Sequence, residues 1–157
     1  MIKGVRHIGI TVTNMERSLV FYRDLLGLTI ERNLNESGQY INNMLSMKDV
    51  CVNTVKMSAS DKGPTLIELL EFKSHPQKSN NNFDVSKIGT SHVALTVNDL
   101  DQMYSKLTAV GVKFNAPPQY SPDGYAKVTF CHDPDDIPIE LVQVLDPTVL
   151  QKCKEKN

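Results

Sequence analysis

The chain has 157 residues and sets 17 lysines and arginines against 18 aspartates and glutamates, a formal net charge of −1. It therefore lacks the basic excess that neutralises a phosphate backbone, and nucleic acid is excluded as an expected partner. At 40% hydrophobic and 22% charged residues, the composition is that of a globular chain with material for one core or two small halves.

No apolar run approaches the roughly 20 residues that a bilayer span needs, so no membrane association is expected. Met1-Ile2-Lys3-Gly4-Val5-Arg6-His7 has no signal core. Cys51, Cys131 and Cys153 stand in no paired motif. They are expected as small hydrophobes in a reducing, cytoplasmic setting.

In chain order, Arg6-His7-Ile8-Gly9-Ile10-Thr11-Val12 predicts a first strand. Thr13-Asn14-Met15-Glu16 has the shape of a capping box, and Met15, Leu19, Tyr22 and Leu26 then recur on one helical face until Gly27 closes it. Val50 to Met57 and Thr65 to Phe72 predict strands around an Asp61-Lys62-Gly63-Pro64 turn. Lys73 to Lys87 is a polar connection without periodicity.

The pattern then returns. Ser91-His92-Val93-Ala94-Leu95-Thr96-Val97 matches the first strand, and Asp99, with Gln102 in the box position, caps a helix. That helix carries Leu100, Met103, Leu107 and Val110 and ends at Gly111. Strands over Lys127 to Cys131 and Pro138 to Val144 flank an Asp133-Pro134-Asp135-Asp136 turn, and Ile139-Glu140-Leu141 repeats Ile67-Glu68-Leu69. One domain over 1–145, built of modules at about 1–75 and 88–145, is expected, with 146–157 as a tail that frays or forms a short helix.

Strand alternation turns this duplication into a candidate site. His7, Gly9 and Thr11 share one face and His92, Ala94 and Thr96 another, leaving open space beside each histidine. Glu68 and Glu140 point away from the faces of their aliphatic neighbours. A buried carboxylate needs a partner or a cation, and two glutamates with two neutral imidazoles sum to a charge that one divalent ion cancels. Four nitrogen and oxygen donors without thiolate suit Zn²⁺, Ni²⁺, Co²⁺, Mn²⁺ or Fe²⁺. Alone, each of these residues has a structural explanation; their recurrence as a set is what points to metal.

Other candidates have simpler expectations. Glu71 falls in register with Ile67 and Leu69, and Gln143 stands where its counterpart would be. His75 is expected in solvent, His132 in a turn contact, and Tyr120, Tyr125 and Lys127 in core or surface positions rather than lining a pocket.

From His7 through Glu140 the chain resembles the vicinal oxygen chelate superfamily, also called glyoxalase / bleomycin resistance / extradiol dioxygenase proteins. The resemblance is carried by His7-Ile8-Gly9-Ile10-Thr11-Val12, Phe21-Tyr22-Arg23-Asp24-Leu25-Leu26-Gly27-Leu28, Leu66-Ile67-Glu68-Leu69, His92-Val93-Ala94-Leu95 and Asp133-Pro134 through Val142. It implies an α+β fold of two tandem βαβββ modules forming a curved sheet cleft around the metal, often within a homodimer. Filling all four metal positions as His7, Glu68, His92 and Glu140 is similar to bacterial-type glyoxalase I. Thr11 stands where that enzyme carries an arginine that helps hold glutathione.

The chemistry expected is that of a metal-dependent lyase or isomerase acting on a small molecule. A proton leaves the carbon beside a chelated carbonyl through an enediolate, as in lactoylglutathione lyase. Glu140 is the expected base and Glu68 its pseudo-symmetric partner, so both are catalytic candidates as well as metal ligands. Returning the proton to the same carbon would instead give an acyl-CoA epimerase of the methylmalonyl-CoA type. A non-catalytic drug-binding cup of the bleomycin-resistance type is the alternative from another class.

Overall fold

A computed structural model of the chain describes residues 1–60, 63–78, 86, 88–89 and 92–145. The expected tail, most of the central connection, Ser91, Cys153 and the Asp61-Lys62 half of the first turn lie outside the described residues. The chain divides into two compact units, Met1–Asn81 and Asn82–Asn157.

In the first unit, strand β1 (His7–Thr11) leads into helix α1 (Met15–Leu19), which continues as π-helix over Val20–Leu25. Strand β2 (Thr29–Ser37), helix α2 (Gln39–Leu45), β3 (Cys51–Ser58) and β4 (Leu66–Phe72) follow. The sheet order is β1-β4-β3-β2, with β1 parallel to β4 and the other pairs antiparallel.

The second unit repeats the plan with β5 (Val93–Thr96), α3 (Leu100–Ala109), β6 (Gln119–Tyr120), β7 (Ala126–His132) and β8 (Pro138–Val144). Its order is β5-β8-β7-β6, again with the first strand parallel to the last. Even the ladder extensions match. The Val12 amide donates to the Leu70 carbonyl and the Val97 amide to the Val142 carbonyl, both at 2.9 Å.

Alternation decides which face is core. Ile67 and Leu69 of β4, Val55 and Met57 of β3, and Ile10 are buried, as are Met15, Leu19 and Tyr22 of the helical segment. Ile139 and Leu141 are buried with Leu100 and Leu107 in the second unit, where the Leu100 amide donates to Gln143 Oε1 at 3.0 Å and ties the helix start to β8. Leucines as fully enclosed as Leu69 and Leu141 typically cost about 2–5 kcal/mol when cut to alanine.

Several local expectations change. Asn14, not Thr13, caps α1, its side chain accepting from the Arg17 amide at 2.9 Å; Thr13 instead accepts from the Arg17 guanidinium. The helix widens after Leu19, where the Leu26 amide reaches back to the Phe21 carbonyl. The extra residue in that turn rotates the apolar face, so Phe21 and Tyr22 are both buried and Leu26 only partly.

Val110 is an exposed helix-end residue rather than part of the stripe. Cys51 is also exposed, while Cys131 is buried as expected. The elements β2, α2 and β6 have no counterpart in the periodicity. Helix α2 forms because Ile41 packs with Val50 and Val52, flanked by Met47, Leu70 and Phe72. Among the described residues no helix is long and apolar enough to cross a membrane.

Candidate metal centre

Each unit brings one histidine to one glutamate by the same register. In the first, Gly9 pairs with Glu68 across the parallel β1–β4 ladder. His7, two residues earlier, shares the face of Gly9 and reaches back over it. Its Nε2 lies 3.0 Å from Glu68 Oε2. In the second, Ala94 pairs with Glu140, and His92, two residues before Ala94, places its Nε2 3.1 Å from Glu140 Oε2. Alternation thus puts Glu68 on the face of β4 opposite Ile67 and Leu69, and Glu140 on the face of β8 opposite Ile139 and Leu141.

Small residues make the space. A Cβ at Gly9 would lie 3.3 Å from Leu70 Cδ1 and 3.7 Å from Glu68 Oε2. The glutamate side chains are largely enclosed, at 11% exposure for Glu68 and 21% for Glu140. The His7 Nδ1 atom is buried and meets no hydrogen-bond partner among the described residues, so Nε2 is the ring atom engaged with the carboxylate.

The donor set fits a divalent ion. Two donors at about 2.1 Å from one ion and at right angles stand about 3.0 Å apart, which is the separation in each pair. Neutral imidazole and carboxylate are ordinary ligands for the borderline metals expected from the sequence. Within either unit the described residues gather no third histidine, cysteine, aspartate or glutamate to its pair.

Two further residues belong to these pairs and were not singled out by pattern. Lys56 lies directly across β3–β4 from Glu68, and its Nζ is 3.0 Å from Glu68 Oε1. The position across from Glu140 is Phe130, whose ring meets that of His92 edge-on at 5.1 Å. Alternation alone puts Lys56 on a face with Val52 and Thr54; only the antiparallel register reveals that it meets Glu68.

The remaining candidates fall elsewhere. Glu71 is on the helix-covered face, where its carboxylate pairs with Lys73 Nζ at 2.6 Å. Lys127 shares that type of face in the second unit. It is buried, pairs with Asp101 and stands 4.9 Å from the Tyr120 ring centre. The bond to Asp101 holds its ammonium above the ordinary lysine range.

Tyr120 and Tyr125 are exposed. His132 is a turn residue, its Nε2 2.7 Å from Asn115 Oδ1 and its Nδ1 3.1 Å from Asp136 Oδ1. His75 is half-buried rather than free in solvent, with the Ser74 hydroxyl 2.8 Å from Nδ1.

Two mixed four-stranded sheets, each backed by a helix and bearing a histidine–glutamate pair on its other face, define an α+β protein of tandem modules. Residues 4–141 match the model of the Glyoxalase/Bleomycin resistance protein/Dioxygenase superfamily, and the chain belongs to that superfamily. Among curated relatives, the uncharacterized protein YwkD of Bacillus subtilis is 28% identical, covering 91% of this chain and 98% of its own. The uncharacterized protein YaeR of Escherichia coli is 27% identical over 90% and 97%.

In fold, the chain is similar to a glyoxalase family protein from Bacillus cereus, with a TM-score of 0.82, 24% identity and coverage of 93% and 97%. It is also similar in fold to the trypanothione-dependent glyoxalase I of Leishmania major, with a TM-score of 0.63, 19% identity and coverage of 99% and 95%.

Proposed function

We propose that this protein is a metal-dependent lyase or isomerase of the glyoxalase type, with His7, Glu68, His92 and Glu140 holding one divalent ion. The observation that carries this reading is the repeated register. A histidine two residues ahead of the glutamate's parallel partner, and 3.0–3.1 Å from its carboxylate, occurs once in each unit. A chance surface ion pair would not recur at the same place in two copies of one module.

A bound Zn²⁺, Ni²⁺, Co²⁺, Mn²⁺ or Fe²⁺ would supply Lewis-acid polarisation of a substrate carbonyl. The chain's own groups do the rest. Glu140 is the base: Oε2 faces His92, and Phe130 offers its carboxylate an aromatic neighbour rather than a cation. A carboxylate enclosed in this way has little water to compete with substrate for its proton-accepting oxygen. Glu68, its pseudo-symmetric partner, is the second proton-handling group. Gly9, having no side chain, keeps a Cβ out of the place beside Glu68 Oε2.

The working form proposed is a cytoplasmic homodimer, in line with the free cysteines Cys51 and Cys131. The substrate is proposed to be the hemithioacetal of methylglyoxal and a thiol such as glutathione, giving lactoylglutathione lyase activity.

The test is proton transfer in D₂O with metal-loaded protein. One arm holds the methylglyoxal–glutathione hemithioacetal, the other a 2-methyl acyl-CoA. Turnover in the first arm, lost in Glu140→Gln, is the expected result. Deuterium entering only the acyl-CoA would make the protein an epimerase. Exchange in neither arm, from protein shown to bind its ion, would overturn the proposed substrates.

A further inference from the structure

The two histidine–glutamate pairs are alike in register and unlike in what stands beside them. Strand β3 alternates so that Val52, Thr54 and Lys56 share a face, and the antiparallel register sets Lys56 against Glu68. Glu68 therefore has both oxygens engaged, Oε2 by His7 Nε2 and Oε1 by Lys56 Nζ, each at 3.0 Å. The pair is not a solvated surface bridge, since the lysine side chain is 24% exposed and the glutamate 11%. In so enclosed a place an ammonium–carboxylate contact fixes geometry and is little screened by water.

Neighbouring carboxylates are bound to hydroxyls, Glu31 to Ser58 at 2.6 Å and Glu36 to Thr54 at 2.9 Å, which leaves Glu68 as the carboxylate that Lys56 meets. Arg32 is across from Lys56 on the outer side, a like charge that favours the inward contact. In the second unit the same rung holds Phe130, and among the described residues Glu140 meets only His92.

We propose that Lys56 is a positioning residue that pins Glu68, so that Glu68 gives a divalent ion one oxygen, while Glu140, with no cation beside it among the described residues, keeps an oxygen for the substrate proton. This rests on the metal reading above and deepens it: the two glutamates are unequal ligands, made so by one side chain. Lys56 also places a positive charge near the ion and thereby weakens its binding. A lysine here trades affinity for a fixed carboxylate.

The experiment titrates metal-free protein with Co²⁺, measuring affinity against a chromogenic chelator and coordination by the visible absorption of the ion. Lys56→Met should bind Co²⁺ at least about tenfold more tightly, through loss of a nearby like charge and release of a second donor oxygen. Its visible absorption should weaken, as added coordination makes the site more symmetric. Lys56→Arg, which keeps charge and contact, should restore both properties, and Phe130→Lys should weaken binding by at least about tenfold.

A merely structural lysine would lower the melting temperature of Lys56→Met without tightening the metal; melting curves of the metal-free variants separate the two. Wild-type protein that binds Co²⁺ while Lys56→Met matches it in affinity and spectrum overturns this inference alone. Wild-type protein that binds no Co²⁺ overturns the metal reading and this inference together.

Discussion

A side chain grown at Gly9 enters the space beside Glu68, and its consequences can be worked from two distances. Alanine would bring its Cβ to 3.3 Å from Leu70 Cδ1 and 3.7 Å from Glu68 Oε2. The first contact is tight, but Cδ1 is the end of a flexible side chain and can yield by a few tenths of an ångström. Alanine in a strand also regains about 0.5–1 kcal/mol of the entropy that glycine loses on folding. Gly9→Ala should therefore fold within about 1 kcal/mol of the parent.

Valine adds two methyl groups, which must go toward Leu70 and the carboxylate. Overpacking of that kind costs about 1–3 kcal/mol, and it moves Glu68 Oε2 away from His7. Disturbing a group that orients a metal ligand typically lowers affinity by about 10- to 100-fold, and Gly9→Val is expected in that range. Urea unfolding with chelator present measures the fold, and calorimetric titration with Zn²⁺ measures the site. A folded Gly9→Val protein that binds Zn²⁺ as tightly as the parent would refute the placement of Glu68 beside the ion.

Three other outcomes follow from local geometry. Burial pushes the Cys131 thiol up to about 12 from its ordinary 9.0. The folded chain thus keeps a proton that the unfolded chain loses above about pH 9, and stability should fall as pH rises from about 9 toward 12, less steeply in Cys131→Ala. Iodoacetamide at pH 8 should leave Cys131 unmodified in the native protein while the exposed Cys51 reacts, as peptide mass mapping will show. Removing either helix cap, Asn14→Ala or Asp99→Ala, should cost about 1 kcal/mol in urea unfolding, whereas Thr13→Ala should stay within about 0.5 kcal/mol.

What the sequence revealed and what it concealed have physical causes. The duplicated histidine strands and the Ile-Glu-Leu strands were legible because a buried face leaves a period of two. The caps at Asp99 and the turn at Asp133 were legible because short polar side chains there bond the backbone; the Asp133 carboxylate accepts from the Asp135 and Ile137 amides at 2.8 Å. Strand β2 was not, since Thr29–Ser37 is an edge strand exposed on most of its length, with an irregular step between Ile30 and Arg32. Helix α2 is flanked by Gly38 with φ 93° and Ser46 with φ 54°, and its seven residues owe their shape to Ile41 packing with Val50 and Val52. The widened turn after Leu19 follows tertiary packing of Phe21 and Tyr22, which a fixed helical period cannot anticipate. For the site, the recurrence of the histidine and glutamate positions was legible in the repeat, while the pairing of each histidine with the glutamate of its own unit, and of Lys56 with Glu68, stayed hidden because cross-strand register is a property of the folded sheet.

Metal stoichiometry in single-half variants tests the centre of this account most directly. Purified protein loaded with Zn²⁺ and freed of excess should carry one ion per chain. His7→Ala, which touches only the first unit, and His92→Ala, which touches only the second, should each lose it while remaining folded. Two ions per chain, or a variant that keeps its ion after one half is dismantled, would show that the pairs act separately and would contradict a shared centre.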